Sequence, residues 1–299
     1  MRRFFRTLKL ALLSAFRHDA LGFAKGSAFS MILSLFPALL VGTSLMVMFD
    51  STRDFTLDLA DDLTRFLPPG IGIYIRNFFE ITQERSGRVL LLASLITLWT
   101  ASGVMTTWML YFRTAYKMDN TWGIIKERFI AFGLVIMAGV PLSFATFLVA
   151  FGNEIEQRFA DRMAYELGHL VEPYILLLWT ILRWIIATLT GVSVMALIYH
   201  HAVPRNQRWH SVLAGAALAT GLWFPATVGF GYYVRHFAQY SLFYGSLAAS
   251  IVLLVWLYII SLIILVGAEF NAILYPRAFG LIAPTPVAAP PPKKTSKAR

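Results

Sequence analysis

Six long apolar stretches constrain the fold more than any other feature of this sequence. The last of them contains 22 consecutive residues without a formal charge, Leu247 to Ala268. A helix of about 20 apolar residues crosses the roughly 30 Å hydrocarbon core of a bilayer. Helices are favoured there because lipid offers the backbone no hydrogen-bond partner. The stretches cover residues 24–49, 89–112, 124–151, 173–199, 210–234 and 245–274. The sequence therefore predicts an all-α, polytopic membrane protein with six transmembrane helices.

The composition agrees with this prediction. Hydrophobic residues make up 58% of the 299-residue chain and charged residues only 14%. Soluble domains contain roughly 45–50% apolar and about 25% charged residues. The chain has no cysteine, which excludes disulfides and thiolate metal sites.

The distribution of Lys and Arg predicts the orientation. Of the 26 such residues, 17 lie in the N-terminal segment, in the 113–128 and 200–209 loops and in the C-terminal tail. Cytoplasmic loops carry the excess of Lys and Arg. Both termini are therefore expected in the cytoplasm. The net charge of +10 follows from this topology, so a nucleic-acid partner is not needed to explain it.

Three segments outside the spans have their own character. Residues 1–23 predict an amphipathic interfacial helix, with its cations turned toward anionic headgroups; a plain solvated leader is the alternative. The external loop 50–88 predicts short helices that act as a structural cap, or alternatively as a lid or substrate platform. Residues 276–299 are rich in Pro and Lys and predict a disordered tail.

Prolines and small residues occur inside the spans. Pro37, Pro141 and Pro225 are predicted to kink their helices, either as hinges or simply because proline is common in membrane helices. Gly215, Gly221 and Gly245 occur with alanines at four-residue spacing, which favours close helix packing. Packing within the monomer is the simpler interpretation, and dimerisation is the alternative.

Several sequence blocks resemble a known family. They are AFSMILSLFPALL (28–40), LWTASG (98–103), LRW (182–184), ALIYHHAVP (196–204), GAALATGLW (215–223) and the long block at 240–272. On these blocks, residues 24–275 resemble the YihY/BrkB family of bacterial inner-membrane proteins, formerly labelled ribonuclease BN. The resemblance implies six spans and cytoplasmic termini, and links to lipid export have been suggested for the family. The chain differs at Arg113, where the family often has an amide.

Arg183 is the strongest candidate site residue. It lies inside the fourth span, roughly 12 Å from the outer edge of the hydrocarbon. An arginine at such depth costs roughly 2.5–3.5 kcal/mol and is expected to face a partner or a wet cavity. We expect it to contact an anionic group. The alternative is a side chain that snorkels outward or binds a backbone carbonyl.

Glu269 follows the last apolar stretch and is expected near the cytoplasmic surface, roughly 36 Å along the sixth span. The favoured interpretation is an ion pair that fixes the helix end, with Arg205, Arg208 or Lys25 as partner. A proton or substrate carboxylate is the alternative.

The sequence contains no pattern typical of catalysis. His200, His201 and His210 cluster between two spans, but they lack the spacing of a metal site and are interpreted as interface histidines. No nucleotide-binding or nucleophile-elbow motif is present, so neither a cofactor nor a metal is predicted and an enzyme is disfavoured.

Two functional classes remain. The first is a transporter or flippase for an anionic amphiphile, such as a lipid or a lipid-linked envelope precursor, with membrane lipids as partners. The second is a non-catalytic membrane scaffold for envelope assembly. An enzyme ranks third.

Overall fold

The computed structural model describes residues 2–47, 87–118, 122–167, 172–205, 207–236 and 248–276, together with 278 and 281. These residues form helices and connecting turns, and no strand occurs among them. The described helices are α1 (Arg2–Arg17), α2 (Ala20–Val47), α3 (Gly87–Ala115), α4 (Ile124–Leu167), α5 (Glu172–His201), α6 (His210–His236) and α7 (Ala248–Leu274).

Helices α2 to α7 are each long and apolar enough to cross a membrane, which confirms the six predicted spans. Most described helix ends agree with the prediction within three residues, and two differ by more. Helix α2 already begins at Ala20, and α4 continues past residue 151 to Leu167, because helical hydrogen bonding persists after the apolar pattern ends. The short helices expected in the 50–88 loop concern residues that, up to 86, lie outside the described part of the chain, as does most of the predicted tail.

A tight turn separates α1 from α2. Asp19 adopts a positive φ of 56°, a conformation that Asp tolerates better than most residues. Its Oδ1 accepts the backbone N–H of Gly22 at 3.3 Å and so caps the first turn of α2. A Cβ at Gly22 would lie 2.4 Å from the Asp19 carboxylate, which explains the glycine. The amphipathic helix predicted at 1–23 is therefore α1 alone.

The six spans form a ring in chain order. Each of α2 to α6 packs against the next helix, and α7 closes the ring by packing against α2. Helix α7 also contacts α3 inside the ring and α1 outside it. This central position gives α7 more neighbours than any other described helix.

The side chains are most closely packed at one end of the ring, which we call the basic end. It carries α1 and the α3–α4 and α5–α6 connections. In α2 the buried residues are Ala20, Ala24, Ser27 and Ala28, and no side chain described between 29 and 42 is buried. Helix α7 shows the same change: its described residues 250–260 are half-exposed or exposed, and most of those at 261–272 are buried. Among the described residues, the core therefore occupies the basic end.

The three predicted proline sites lie inside continuous helices. Pro37 is in α2, Pro141 in α4 and Pro225 in α6, and each helix continues on both sides of its proline. All three lie farther along their helices than the closely packed layer of the basic end, and the prolines are half-exposed or exposed.

Candidate functional site

Arg183 lies on the inward face of α5. Its side chain is only 8% exposed, whereas its neighbours Leu182 and Trp184 are 44% and 45% exposed. Because successive helix residues point about 100° apart, exposed neighbours on both sides mean that Arg183 faces the interior of the ring. It lies roughly 16 Å from Glu172, where α5 begins, and roughly 27 Å from His201.

Arg183 is more deeply buried than the side chains around it. Trp179, Ile186 and Thr190 share its face of α5, and all three are half-exposed. In α6, which packs against α5, no described side chain from 220 to 234 is buried. The rings of Trp184 and Phe224, 5.9 Å apart, join the two helices at this level. Arg183 is therefore the only buried side chain described between residues 177 and 193 of α5.

The basic end, by contrast, is sealed by aromatic side chains. Phe112 of α3 packs edge-on against Tyr199 of α5 across the ring, with centroids 5.2 Å apart. Tyr111 and Tyr116 flank Phe112, and all four residues are fully buried. Burial raises the pKa of Tyr116 well above its usual value, although neighbouring Asn271 opposes the shift, so its hydroxyl remains protonated.

Glu269 lies inside this seal and not at its surface. The residue is 1% exposed, and its Oε1 is 2.6 Å from His18 Nδ1 and 3.0 Å from the Tyr111 hydroxyl. A carboxylate only accepts hydrogen bonds, so Nδ1 carries the proton of this pair. The turn after α1 brings His18 over the carboxylate, so the structure pairs Glu269 with His18 and not with Arg205, Arg208 or Lys25, the partners expected from the sequence.

Two residues after Glu269, the side chain of Asn271 joins α6 to α7. Its Oδ1 accepts the backbone N–H of Gly215 at 2.6 Å, and its Nδ2 donates to the carbonyl of Val212 at 3.2 Å. A Cβ at Gly215 would lie 2.2 Å from the carbonyl oxygen of Gly267, so only glycine allows this approach. The Tyr199 hydroxyl donates to the carbonyl of Ile264 at 2.7 Å and ties α5 to the same helix.

The other two predicted packing glycines have different outcomes. A Cβ at Gly221 would meet no atom within 4 Å, so this glycine is not at a tight contact among the described residues. Gly245 lies outside the described part of the chain.

Two arginines connect α3 and α4. Arg113, the position that differs from the resembled family, forms an ion pair with Glu127. Arg128 donates from Nη2 to the carbonyl of Trp99 at 3.0 Å and lies 4.3 Å from the centre of its indole ring. The guanidinium thus gains a hydrogen bond and a cation–π contact.

The histidines between α5 and α6 form an aromatic cluster. His200 stacks on Trp209 with centroids 4.1 Å apart and planes 10° apart, and His210 packs edge-on against Tyr275 at 5.6 Å. Among the residues that the structure describes, no three His, Cys, Asp or Glu side chains are grouped to hold a metal ion.

Sequence reasoning missed the partners that make the sealed end. These are His18, Tyr111, Tyr199, Gly267 and Asn271. One signal was available: two polar side chains, Glu269 and Asn271, end an otherwise apolar helix. Buried polar groups require partners, so two such residues at a helix end predict a buried network as readily as an exit to water.

A ring of six apolar helices with buried polar contacts at one end defines a multi-pass membrane protein. The sequence profile of the family described as Virulence factor BrkB matches residues 12–290, and the chain belongs to this family.

Named relatives agree with the assignment. The chain is 28% identical over 251 residues to the ribonuclease-like protein YfkH of Bacillus subtilis (strain 168), covering 84% of this chain and 88% of YfkH. It is 26% identical over 256 residues to a UPF0761 membrane protein of Chlorobium phaeobacteroides, covering 85% of this chain. That match spans only 54% of the Chlorobium protein, so the chain covers about half of this longer relative. No solved structure matches the chain.

Proposed function

We propose that this protein is an inner-membrane transporter or flippase for an anionic amphiphile, such as a lipid or a lipid-linked envelope precursor. The observation that carries the proposal is Arg183, a cation that is 8% exposed on the inward face of a membrane-spanning helix. Charged side chains within membrane spans usually mark a substrate or ion pathway.

The packing around Arg183 supports this role. The other side chains on its face of α5, and those described in α6 at its level, are half-exposed or exposed, so Arg183 is a buried cation among less buried neighbours. A guanidinium binds phosphate or carboxylate through two parallel hydrogen bonds, so it can hold a headgroup in one orientation.

The sealed end supplies the other requirement of transport, a barrier. The aromatic layer of Phe112, Tyr116 and Tyr199 closes the ring at the basic end. The excess of Lys and Arg at that end favours a cytoplasmic location for it and for both termini. The described part of the chain therefore fits a transporter that is closed toward the cytoplasm.

The test compares two Arg183 variants in proteoliposomes that contain fluorescent phosphatidylglycerol or phosphatidylcholine. Accessibility of the label to an external reductant measures movement between the leaflets. Arg183→Lys keeps the charge but loses the planar fork, so most transport of the anionic lipid is expected to be lost. Arg183→Leu removes the anion contact and should abolish it. Arg208→Leu, which removes an exposed arginine at the basic end, is the matched control and should transport normally.

A non-catalytic scaffold for envelope assembly is the second candidate, and the sealed end favours it. Glu269 and Asn271 tie α3, α6 and the turn between α1 and α2 to α7 by hydrogen bonds, a rigid arrangement that would suit a docking platform. Normal lipid movement in Arg183→Leu would favour the scaffold. So would a wild-type protein that moves no more lipid than empty liposomes do. We propose no catalytic step, because the sequence offers no group of base, nucleophile and metal ligands.

A further inference from the structure

Helix α1 is docked onto the bundle by only one of its faces. Ala11 and Ala15 are buried against the bundle, and His18 at its end binds Glu269. Small side chains on this face let α1 lie close to α7, and the rings of Phe4 and Phe270 pack 5.7 Å apart at the far end. Helix α1 is therefore held at both ends, with its remaining faces turned away from the core.

One flank of α1 forms an apolar crevice with α2 and α7, which we call the α1 crevice. Its volume is about 30 Å³, and its lining has no polar surface. The lining residues are Leu12, Ala15, Phe16, Ala20, Leu21, Leu262 and Val266. Phe5, Leu12 and Phe16 continue this apolar flank along α1, and all three are exposed. The α1 crevice therefore opens between membrane-spanning helices on a surface that water does not favour.

A line of cations runs beside the apolar flank. Arg6, Lys9 and Arg17 are exposed and share the adjoining face of α1, since they recur at helical spacing. The whole helix contains five basic residues and no acidic one. An apolar flank next to a cationic one is the pattern of a helix that lies in the headgroup region of an anionic membrane.

We propose that the α1 crevice and its three flanking cations form a binding site for an anionic phospholipid. One acyl chain lies along the apolar flank of α1 with only a small part of it in the crevice, and the headgroup phosphate contacts one or two of Arg6, Lys9 and Arg17. A phospholipid matches both parts, because an acidic peptide would leave the apolar crevice empty and a neutral lipid would leave the cations unpaired. This site belongs to the outside of the ring and is independent of transport at Arg183.

The site also links lipid binding to the sealed end. His18 follows Arg17 directly and is the residue that binds the buried Glu269 carboxylate. A lipid that holds α1 against α7 therefore holds His18 over Glu269. The bound phospholipid therefore contributes to the sealed end and is not a transported substrate.

The experiment titrates the full-length protein in detergent with palmitoyl-oleoyl phosphatidylglycerol and the matching phosphatidylcholine, and counts bound lipids by native mass spectrometry. Each cation near an anionic headgroup contributes roughly fivefold in affinity, so one or two contacts predict a preference for phosphatidylglycerol of roughly 5- to 25-fold. The triple variant Arg6→Gln, Lys9→Gln, Arg17→Gln should lose this preference and keep its affinity for phosphatidylcholine.

Two further variants separate the parts of the site. The triple variant Lys126→Gln, Arg205→Gln, Arg208→Gln removes the same charge from exposed positions elsewhere at the basic end, and it should keep the preference. Leu262→Phe fills the crevice. It should weaken the binding of both lipids by a similar factor, so the ratio of their affinities should not change.

Three results would overturn the proposal. The first is equal binding of the two lipids by the wild type. The second is an equal loss of preference in both triple variants, which would indicate general attraction to the basic end. The third is displacement of phosphatidylglycerol by glycerol 3-phosphate at similar concentration, which would indicate a site for the free anion. None of these measurements depends on lipid transport.

Discussion

The buried carboxylate of Glu269 allows a prediction in which a second mutation restores stability. Glu269 accepts hydrogen bonds from His18 and from Tyr111, and these two donors differ in their access to water. The Tyr111 residue is 0% exposed, whereas 26% of the His18 side chain is exposed. Removing the carboxylate therefore leaves one donor able to bind water and the other unable to do so.

The magnitudes follow from this difference. Glu269→Gln keeps two acceptor positions but loses the charge, and a charged hydrogen bond contributes about 1 kcal/mol more than a neutral one, so a loss of about 2 kcal/mol is expected. Glu269→Leu removes both bonds and leaves the Tyr111 hydroxyl buried without an acceptor, for a total of roughly 3–5 kcal/mol. Adding Tyr111→Phe to Glu269→Leu removes the stranded hydroxyl and should restore about 1–3 kcal/mol.

The assay is the free energy of unfolding of the purified protein in mixed micelles, followed by the fluorescence of its 8 tryptophans. Tyr111→Phe in the wild-type background is the internal control, because there it removes a satisfied bond and should destabilise the protein. The same substitution thus changes sign between the two backgrounds. An effect of the same sign in both backgrounds would refute the network. A loss below about 1 kcal/mol for Glu269→Leu would indicate an exposed surface pair instead.

The remaining predictions concern packing and orientation. Gly215→Ala should lower the thermal unfolding temperature, because its Cβ would lie 2.2 Å from the carbonyl oxygen of Gly267. Gly221→Ala, where a Cβ meets no atom within 4 Å, should be neutral or stabilise α6 by up to about 1 kcal/mol, and a strong destabilisation there would contradict the described packing. Reporter domains fused after Arg299 and within residues 113–128 should both report a cytoplasmic location, and a periplasmic result for either would reject the proposed orientation.

The apolar stretches predicted the spans because the length of a membrane helix is fixed by the bilayer and not by its neighbours. The partners of Glu269 could not be predicted in the same way. Its distance along the helix placed it near the membrane surface, so the cations expected at that surface were predicted as its partners. The structure covers that surface with α1, and His18 is 251 residues away in sequence. Depth along one helix does not reveal which other segment covers it.

The glycines show the same limit at shorter range. Gly215 and Gly221 both have an alanine at four-residue spacing, so the pattern treats them alike. Six residues correspond to a rotation of about 240° around a helix, so the two glycines point to different faces of α6. Only the position of α7 decides that Gly215 lies at the contact. Spacing identifies a face that could pack closely, and tertiary structure selects the face that does.

The contact between His18 and Glu269 joins the beginning of the chain to its last helix, and this has a consequence for biogenesis. During synthesis α1 and α2 leave the ribosome first, and α7 is the last of the described helices to follow. Until α7 inserts, the acceptor for His18 and Tyr111 is missing, as are Asn271 for Gly215 and Ser261 for Trp108. A chain that stops before α7 therefore lacks these partners and leaves the docking face of α1 uncovered. The last helix supplies all of these partners together, so the contacts of the basic end form only when α7 is complete.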